Sequence, residues 1–288
     1  MSYRKQNWFY DWSWTPVSGC WPAPNSPGCA NCWPMRWLNS HTWKVETVYS
    51  EAITKEAKRA RRKWTGYLTA LREGDEMWDR PLTHPGVVNP ALGSGKPNLI
   101  SVVYQGDLFV EARVKGQLVK RPKKDIDRVC ATIAASKHIG LLLTKYTPQM
   151  ASYLAALDPR TVRVWKEKLW PGFSAENQEC FDRRWSDIRP FAEAGWFVYV
   201  VIAPMLGPVI LPPDFVALGK RTWVVCYGEC EQVTSEECRP METDWAREVR
   251  DQCRAAGIPF FIRKMHSGAY VPPDLHIREF PSWPYCRS

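Results

Sequence analysis

The stretch Lys168-Leu169-Trp170-Pro171-Gly172-Phe173-Ser174-Ala175-Glu176-Asn177-Gln178 reads as the joint of a strand–helix–strand unit. Lys168–Phe173 is short and dense in apolar and aromatic residues, as a strand buried on both faces should be. Asn177–Glu193 follows with a helical pattern, and Trp196–Ile202 is a second apolar strand. The same alternation continues outward in both directions. Further strands are expected at Asn98–Tyr104, His138–Leu143, Thr222–Tyr227 and Pro259–Arg263, and helices at Lys123–Ser136, Pro148–Ala156 and Thr243–Ala256. Thr147-Pro148 is a helix start, and Gly257 before Ile258-Pro259 is a helix stop. This alternation predicts an α/β fold, with parallel strands wound into a full or partial barrel. The chain shows no internal repeat and no low-complexity linker, so 1–288 reads as one domain. Glu51–Trp64 is a further helix, 66–97 a Gly- and Pro-rich insertion and 265–288 a C-terminal tail.

In such folds chemistry sits at the C-terminal ends of the strands. Five of the six expected strand ends carry polar groups there: Gln105-Gly106-Asp107, Thr144-Lys145, Ser174-Ala175-Glu176-Asn177, Gly228-Glu229 and Arg263-Lys264. The sixth ends in Ala203-Pro204. Helix capping accounts for Ser174 or Asn177. It does not readily account for Asp107, Lys145, Glu176, Glu229 and Lys264 together, so a shared active-site rim is expected.

A second signal lies near the N-terminus. Trp14-Thr15-Pro16-Val17-Ser18-Gly19-Cys20 is followed by eight residues and then Cys29-Ala30-Asn31-Cys32. Three thiolates suit a [4Fe–4S] cluster that keeps one iron open. A Cys-x-x-Cys knuckle is also half of a structural zinc site, with His41 or a distant cysteine as a fourth ligand. Unliganded buried thiols are a third reading, and local spacing leaves all three open. Cys226, Cys230 and Cys238 lie close enough in sequence to suggest a second metal site, whereas Cys130 and Cys253 fall in helical patterns as ordinary buried thiols.

Composition narrows the setting. The chain is 45% hydrophobic and 24% charged, enough for a sizeable core. No run approaches the roughly 18 apolar residues of a membrane span, so no membrane partner is expected. The start, Met-Ser-Tyr-Arg-Lys-Gln-Asn-Trp, lacks the apolar stretch of a secretion signal. The ten cysteines are therefore read in a reducing cytoplasm, where metal binding or redox chemistry outranks a disulfide framework. A net charge of +9, concentrated in Lys55–Lys63 and Lys120–Lys124, fits a polyanionic partner such as DNA or RNA. The bland reading of both runs is a solvated surface. Sixteen tryptophans fill core for the most part, and some could stack on a base or cofactor ring.

The chain resembles a phage-encoded family long catalogued as a domain of unknown function and related to the radical S-adenosylmethionine (SAM) superfamily. The matching blocks begin with the two cysteine segments, the second as Ser26-Pro27-Gly28-Cys29-Ala30-Asn31-Cys32. They continue through Asp107-Leu108-Phe109, Leu142-Leu143-Thr144-Lys145, Ser174-Ala175-Glu176-Asn177-Gln178, Pro204-Met205-Leu206-Gly207-Pro208 and Arg239-Pro240-Met241. The set closes with Asp244-Trp245 through Arg250-Asp251-Gln252-Cys253 to Gly257-Ile258-Pro259-Phe260-Phe261.

That resemblance implies a radical SAM barrel with a [4Fe–4S] cluster on Cys20, Cys29 and Cys32, SAM as cosubstrate and an external one-electron reductant. On it, Asp107 is assigned to the SAM amino group, and Ser174, Glu176 and Asn177 to the ribose hydroxyls. Lys145 and Lys264 are assigned to the SAM carboxylate or a substrate anion. Glu229 is placed on the substrate side as acid, base or positioning group. Trp33 packs either near the adenine or in the core. The expected substrate is a modified thymine in phage DNA within the host-cell cytoplasm, rearranged in an isomerase-type reaction. The alternatives are a zinc-stabilised, non-catalytic nucleic-acid-binding protein and a radical SAM enzyme acting on a protein or small molecule. Two positions depart from the family pattern. Ala203 stands where a Glu is usual, and Cys226-Tyr227-Gly228-Glu229-Cys230 stands where Gly-Gly-Glu-Ser-Gly is usual. The Cys-x8-Cys-x2-Cys spacing also differs from the Cys-x3-Cys-x2-Cys of most radical SAM enzymes.

Overall fold

Seven parallel strands, hydrogen-bonded in chain order, form one sheet in a computed structural model. It describes residues 2–3, 8–32, 34, 46–47, 68–83, 97–114, 116–229, 238–267 and 269–282. The strands are β1 (Trp12–Trp14), β2 (Leu99–Val102), β3 (Ile139–Thr144), β4 (Leu169–Ala175), β5 (Val198–Ile202), β6 (Thr222–Cys226) and β7 (Phe260–Ile262). Ser2–Tyr3 adds an antiparallel pair outside β1. All six sequence-expected strands form within two residues of their expected ends. β1 was not anticipated, because a three-residue strand leading into a cysteine motif carries no periodicity of its own.

The strand order never reverses, so the crossover helices belong on one face and the sheet curls into a half-barrel. The packing agrees. Helices α1 (Lys123–Ala135), α2 (Thr147–Ala155), α3 (Pro159–Trp165), α4 (Gln178–Glu193) and α5 (Thr243–Ala256) cover the outer face. There Ile126, Val129, Ile133, Met150, Phe181, Ile188 and Val249 pack with Val102, Leu142, Phe173, Val200, Ile202 and Val224. α3 is the one of these the sequence reading missed. Gly257 ends α5 with φ +66°, a conformation that costs glycine little.

The inner face is aromatic. Trp170, Phe197, Tyr199, Trp223 and Phe261 point inward, and Phe9 and Tyr10 of the N-terminal segment close over them. Phe9 packs edge-on to Trp223 and Phe261 and stacks on Tyr227. Each such ring contributes about 1.5–3 kcal/mol by leaving water. Gly172 is required here, since a Cβ would fall 2.1 Å from the Tyr199 ring. Trp14, Trp78, Trp170 and Trp223 are fully buried, which places much of the tryptophan load in the core.

The expected insertion is partly woven in. Leu68 and Trp78 are buried, Thr69–Ala70 pairs with Val17–Ser18, and the Trp14 indole donates to Met77 O at 2.8 Å. The expected tail is likewise attached, since Ile277 and Glu279 exchange backbone hydrogen bonds with Ile262 and Phe260 along the edge of β7. The expected helix Glu51–Trp64, its basic run Lys55–Lys63, His41, Trp33 and Cys230 lie outside the described residues. Among the described residues, no helix is long and apolar enough to cross a membrane.

Candidate functional site

The chain leaves β1, makes a short strand at Val17–Ser18, and then runs as a loop over the C-terminal ends of the sheet strands. This loop carries Cys20, Cys29 and Cys32, and none of the three forms a disulfide. Every stage of its path is tied to a strand end, so its course follows from the rim beneath it.

The first tie is at the end of β2. Gly19 bridges Gly106, whose missing side chain is essential: a Cβ there would lie 2.6 Å from Gly19 O. Arg121, 1% exposed, donates to Ser18 O at 2.9 Å, to Gly19 O and Asp107 O at 3.3 Å each, and to Thr69 O at 3.1 Å. At the end of β3 the Tyr146 hydroxyl donates to Trp21 O at 2.8 Å.

Glu176 makes the next tie, from the end of β4. Its side chain has no exposure, and one oxygen accepts from Ser26 Oγ at 2.5 Å. The same oxygen pairs with Lys145 Nζ, and the other accepts from Arg184 Nη1 at 2.6 Å. Burial alone would raise its pKa, but Lys145, Arg184 and Ser26 together hold it down at about 2. Gly28 sits directly on this carboxylate, where a Cβ would fall 2.7 Å from Oε1 and 2.8 Å from Pro204.

Glu229, beyond β6, holds the far end. Asn31 Nδ2 donates to its Oε2 at 3.2 Å, and the Arg239 backbone N–H donates to the same oxygen at 2.8 Å. The Arg239 guanidinium grips both oxygens. Desolvation of this carboxyl is more than offset by those donors, so its pKa is lowered.

Asp107 serves the rim itself. Its carboxylate accepts from Phe109 N–H at 2.9 Å, Thr144 Oγ1 at 2.7 Å and Lys145 N–H at 3.0 Å, joining the ends of β2 and β3. Burial nonetheless pushes its pKa up. The Cys20 thiol is also pushed well up, by burial first and then by Asp107, Cys29 and Cys32. The three cysteines and Asp107 are therefore electrostatic neighbours.

Most sequence-expected residues thus meet at one rim, but in different relations from those expected. Glu176 is buried and spent on Ser26, Lys145 and Arg184, and does not stand open to a ribose. Asn177 caps α4, its side chain accepting from Cys180 N–H at 3.0 Å. Lys145 lies against Glu176 and is not presented as an open cation. Asp107 is bonded three times within the rim, and Glu229 is gripped by Arg239. Ser174 lies on the inner-face register of β4, and its backbone carbonyl accepts from Arg184 at 2.7 Å. Lys264 follows β7, half-buried, and its carbonyl accepts from Gly228 N–H at 3.1 Å.

Of the expected second metal site, Cys226 and Cys238 lie among the described residues and Cys230 lies outside them. Cys226 is buried in the helix-covered core beside Cys253, while Cys238 lies against Glu229 O. Cys130 and Cys253 are core thiols, as expected.

Sequence reasoning missed the partners: Ser26, Asn31, Arg121, Arg184 and Arg239. Ser26, Asn31 and Arg239 do lie in blocks that carry the resemblance, and that was their only signal. The rim holds the cations Arg121, Lys145, Arg184, Arg239 and Lys264 and the carboxylates Asp107, Glu176 and Glu229, so its named cations outnumber its named carboxylates before the thiols are counted. One nitrogen of Arg184, Nη2, is buried with no hydrogen-bond partner among the described residues. A donor set of three thiols beside that surplus fits a thiolate-held, anionic group. Among the described residues, no three His, Cys, Asp or Glu side chains are gathered so as to hold a single metal ion as they stand.

Residues 5–278 match the family described as "Protein of unknown function (DUF5131)", and the chain belongs to that family. No curated protein and no solved structure matches it.

Proposed function

We propose that this chain is a radical SAM enzyme that holds a [4Fe–4S] cluster on Cys20, Cys29 and Cys32. One observation carries the reading: three thiols lie on a single loop clamped across the C-terminal rim of a parallel half-barrel, on a rim whose named cations outnumber its carboxylates. Three thiolates, each binding a separate iron, would leave the fourth iron of such a cluster open. The cluster and SAM would supply one-electron cleavage of the sulfonium, driven by an external reductant, and hydrogen abstraction from the substrate.

The chain's own contribution is positioning. Arg121 and Gly106 fix the start of the cysteine loop, Glu176 and Glu229 fix the two ends of its Ser26–Asn31 stretch, and the aromatic inner face excludes water below it. Lys145 and Arg184 keep Glu176 ionised, so the clasp on Ser26 needs no proton transfer to hold at neutral pH. Ser174 and Lys264 remain the assigned contacts for SAM or substrate. The substrate we assign is a modified thymine in phage DNA, rearranged on an amino-acid substituent in an isomerase-type reaction. The net charge of +9 supports the nucleic-acid part.

The test is anaerobic reconstitution with iron and sulfide, followed by iron counting and EPR of the dithionite-reduced protein with and without SAM. The expected result is a reduced cluster signal that shifts on adding SAM and is absent in Cys29→Ala. Stoichiometric zinc with no cluster overturns the reading.

A further inference from the structure

Between β2 and α1 the chain makes a two-stranded antiparallel hairpin, Glu111–Val114 paired with Gln117–Lys120, that joins no larger sheet among the described residues. The sequence reading did not anticipate it, because short exposed strands carry little apolar signal. Gly116, at φ +82° with open space around it, marks its tip. Four residues per strand reach about 14 Å.

Its root is fixed on the rim. Arg121 N–H donates to Val110 O at 3.2 Å and closes the base, while the Arg121 guanidinium holds Ser18, Gly19 and Asp107. The hairpin therefore begins beside the residue that precedes Cys20, and it has no separate hinge there. Its charge is one-sided. Residues 111–124 contain six basic residues (Arg113, Lys115, Lys120, Arg121, Lys123, Lys124) and one acid, Glu111. Lys120 pairs with Glu111 and Lys123 with Asp127. Arg113 and Lys124 are exposed and have no acidic partner among the described residues. Gln117 and Leu118 are exposed as well, Leu118 at 53%.

We propose that this hairpin, together with the first turn of α1 at its root, is a DNA-contacting arm whose exposed cations Arg113 and Lys124 hold the phosphate backbone of a duplex against the rim beside Cys20. The proposal rests on the nucleic-acid part of the reading above and is independent of the cluster. A two-stranded ribbon is one of the shapes the major groove admits. Cations on it gain affinity from phosphates without reading sequence. An enzyme acting on a base must also take that base out of the stack, so a grip rooted at the reaction rim serves the chemistry directly.

The experiment is a salt titration of full-length chain on a short labelled duplex of mixed sequence, read by fluorescence anisotropy. Two double variants with the same change in net charge are compared. Arg113→Glu/Lys124→Glu alters the hairpin strand and the first turn of α1 at its root. Lys137→Glu/Arg160→Glu alters exposed positions at the C-terminal end of α1 and the start of α3, by the opposite end of the sheet. Thermal unfolding of both checks that they fold. The arm variant should lose about tenfold or more in affinity at low salt, with its log–log salt slope shallower by about two. The control should keep both within about twofold.

Equal losses in the two variants overturn the arm and leave only diffuse attraction. An unchanged arm variant, with wild-type binding intact, overturns the arm while the DNA reading stands. A wild-type chain with no salt-dependent binding overturns arm and DNA reading together, whatever its EPR spectrum. A single-stranded probe bound more tightly than the duplex, with the arm variant unaffected, overturns the duplex grip.

Discussion

The two ends of the Ser26–Asn31 stretch of the cysteine loop are held by the same chemistry in unequal surroundings. At β4, Glu176 has no exposure and its two cations are nearly as buried, Arg184 at 2% and Lys145 at 18%. Beyond β6, Glu229 is 3% exposed but its partner Arg239 is 34% exposed. Removing one member of a buried pair strands a charge where water cannot reach it, whereas a half-exposed partner can turn outward and be solvated. The end carrying Ser26 should therefore be rigid and the end carrying Asn31 adjustable. If a substrate or SAM moves part of the loop, the movable part is the Asn31–Cys32 end.

Breaking the rigid end should have the largest effect. Glu176→Gln leaves Lys145 and Arg184 facing each other without a counter-charge and should cost about 3–5 kcal/mol in urea unfolding. pH sharpens the same contrast. The wild-type carboxyl is held at about 2, below its unfolded value, so its stabilisation is complete above the ordinary carboxylate range and is lost as pH falls through about 2. The gap between wild type and Glu176→Gln should be constant above about pH 5 and shrink toward pH 2. A gap that grows with acidity would contradict the assignment of the pair.

Glu229→Gln tests the adjustable end. It keeps one acceptor for Asn31 and weakens the grip of Arg239, so a cost of about 1–3 kcal/mol is expected. Its clearer mark should be faster loss of iron from the reconstituted chain to a chelator, out of proportion to its stability loss. If Glu176→Gln and Glu229→Gln match in both measurements, the two ends are equivalent and the contrast fails.

Ser26→Ala is the mildest change. It removes one hydrogen bond while leaving both ion pairs of Glu176, and should cost about 1 kcal/mol. A loss as large as that of Glu176→Gln would mean that Ser26, and not the ion pairs, carries the clasp.

The fold was legible for a definite reason. Strands of a parallel sheet are buried on both faces, so β3, β4, β5 and β6 appear as continuous apolar runs that need no partner to be recognised. Helices α1, α2, α4 and α5 announce themselves by period and by their ends. The short elements lacked that signal: β1 has three residues, and the hairpin strands are mostly exposed.

The rim was legible as a place, but its internal bonding was not. Polar residues at strand ends mark where side chains gather, because the sheet itself leaves no room for them elsewhere. Whether such a residue faces a ligand or a neighbour depends on contacts that no local pattern encodes. Ser26 meets Glu176 across 150 positions and Asn31 meets Glu229 across 198. The sequence by itself determined the order of strands and helices, the end of the sheet where polar groups collect, and the three thiols set before them. Only the tertiary structure decided that Glu176 and Glu229 hold the cysteine loop, since hydrogen bonds across that separation exist only once the sheet has brought the strand ends beneath the loop.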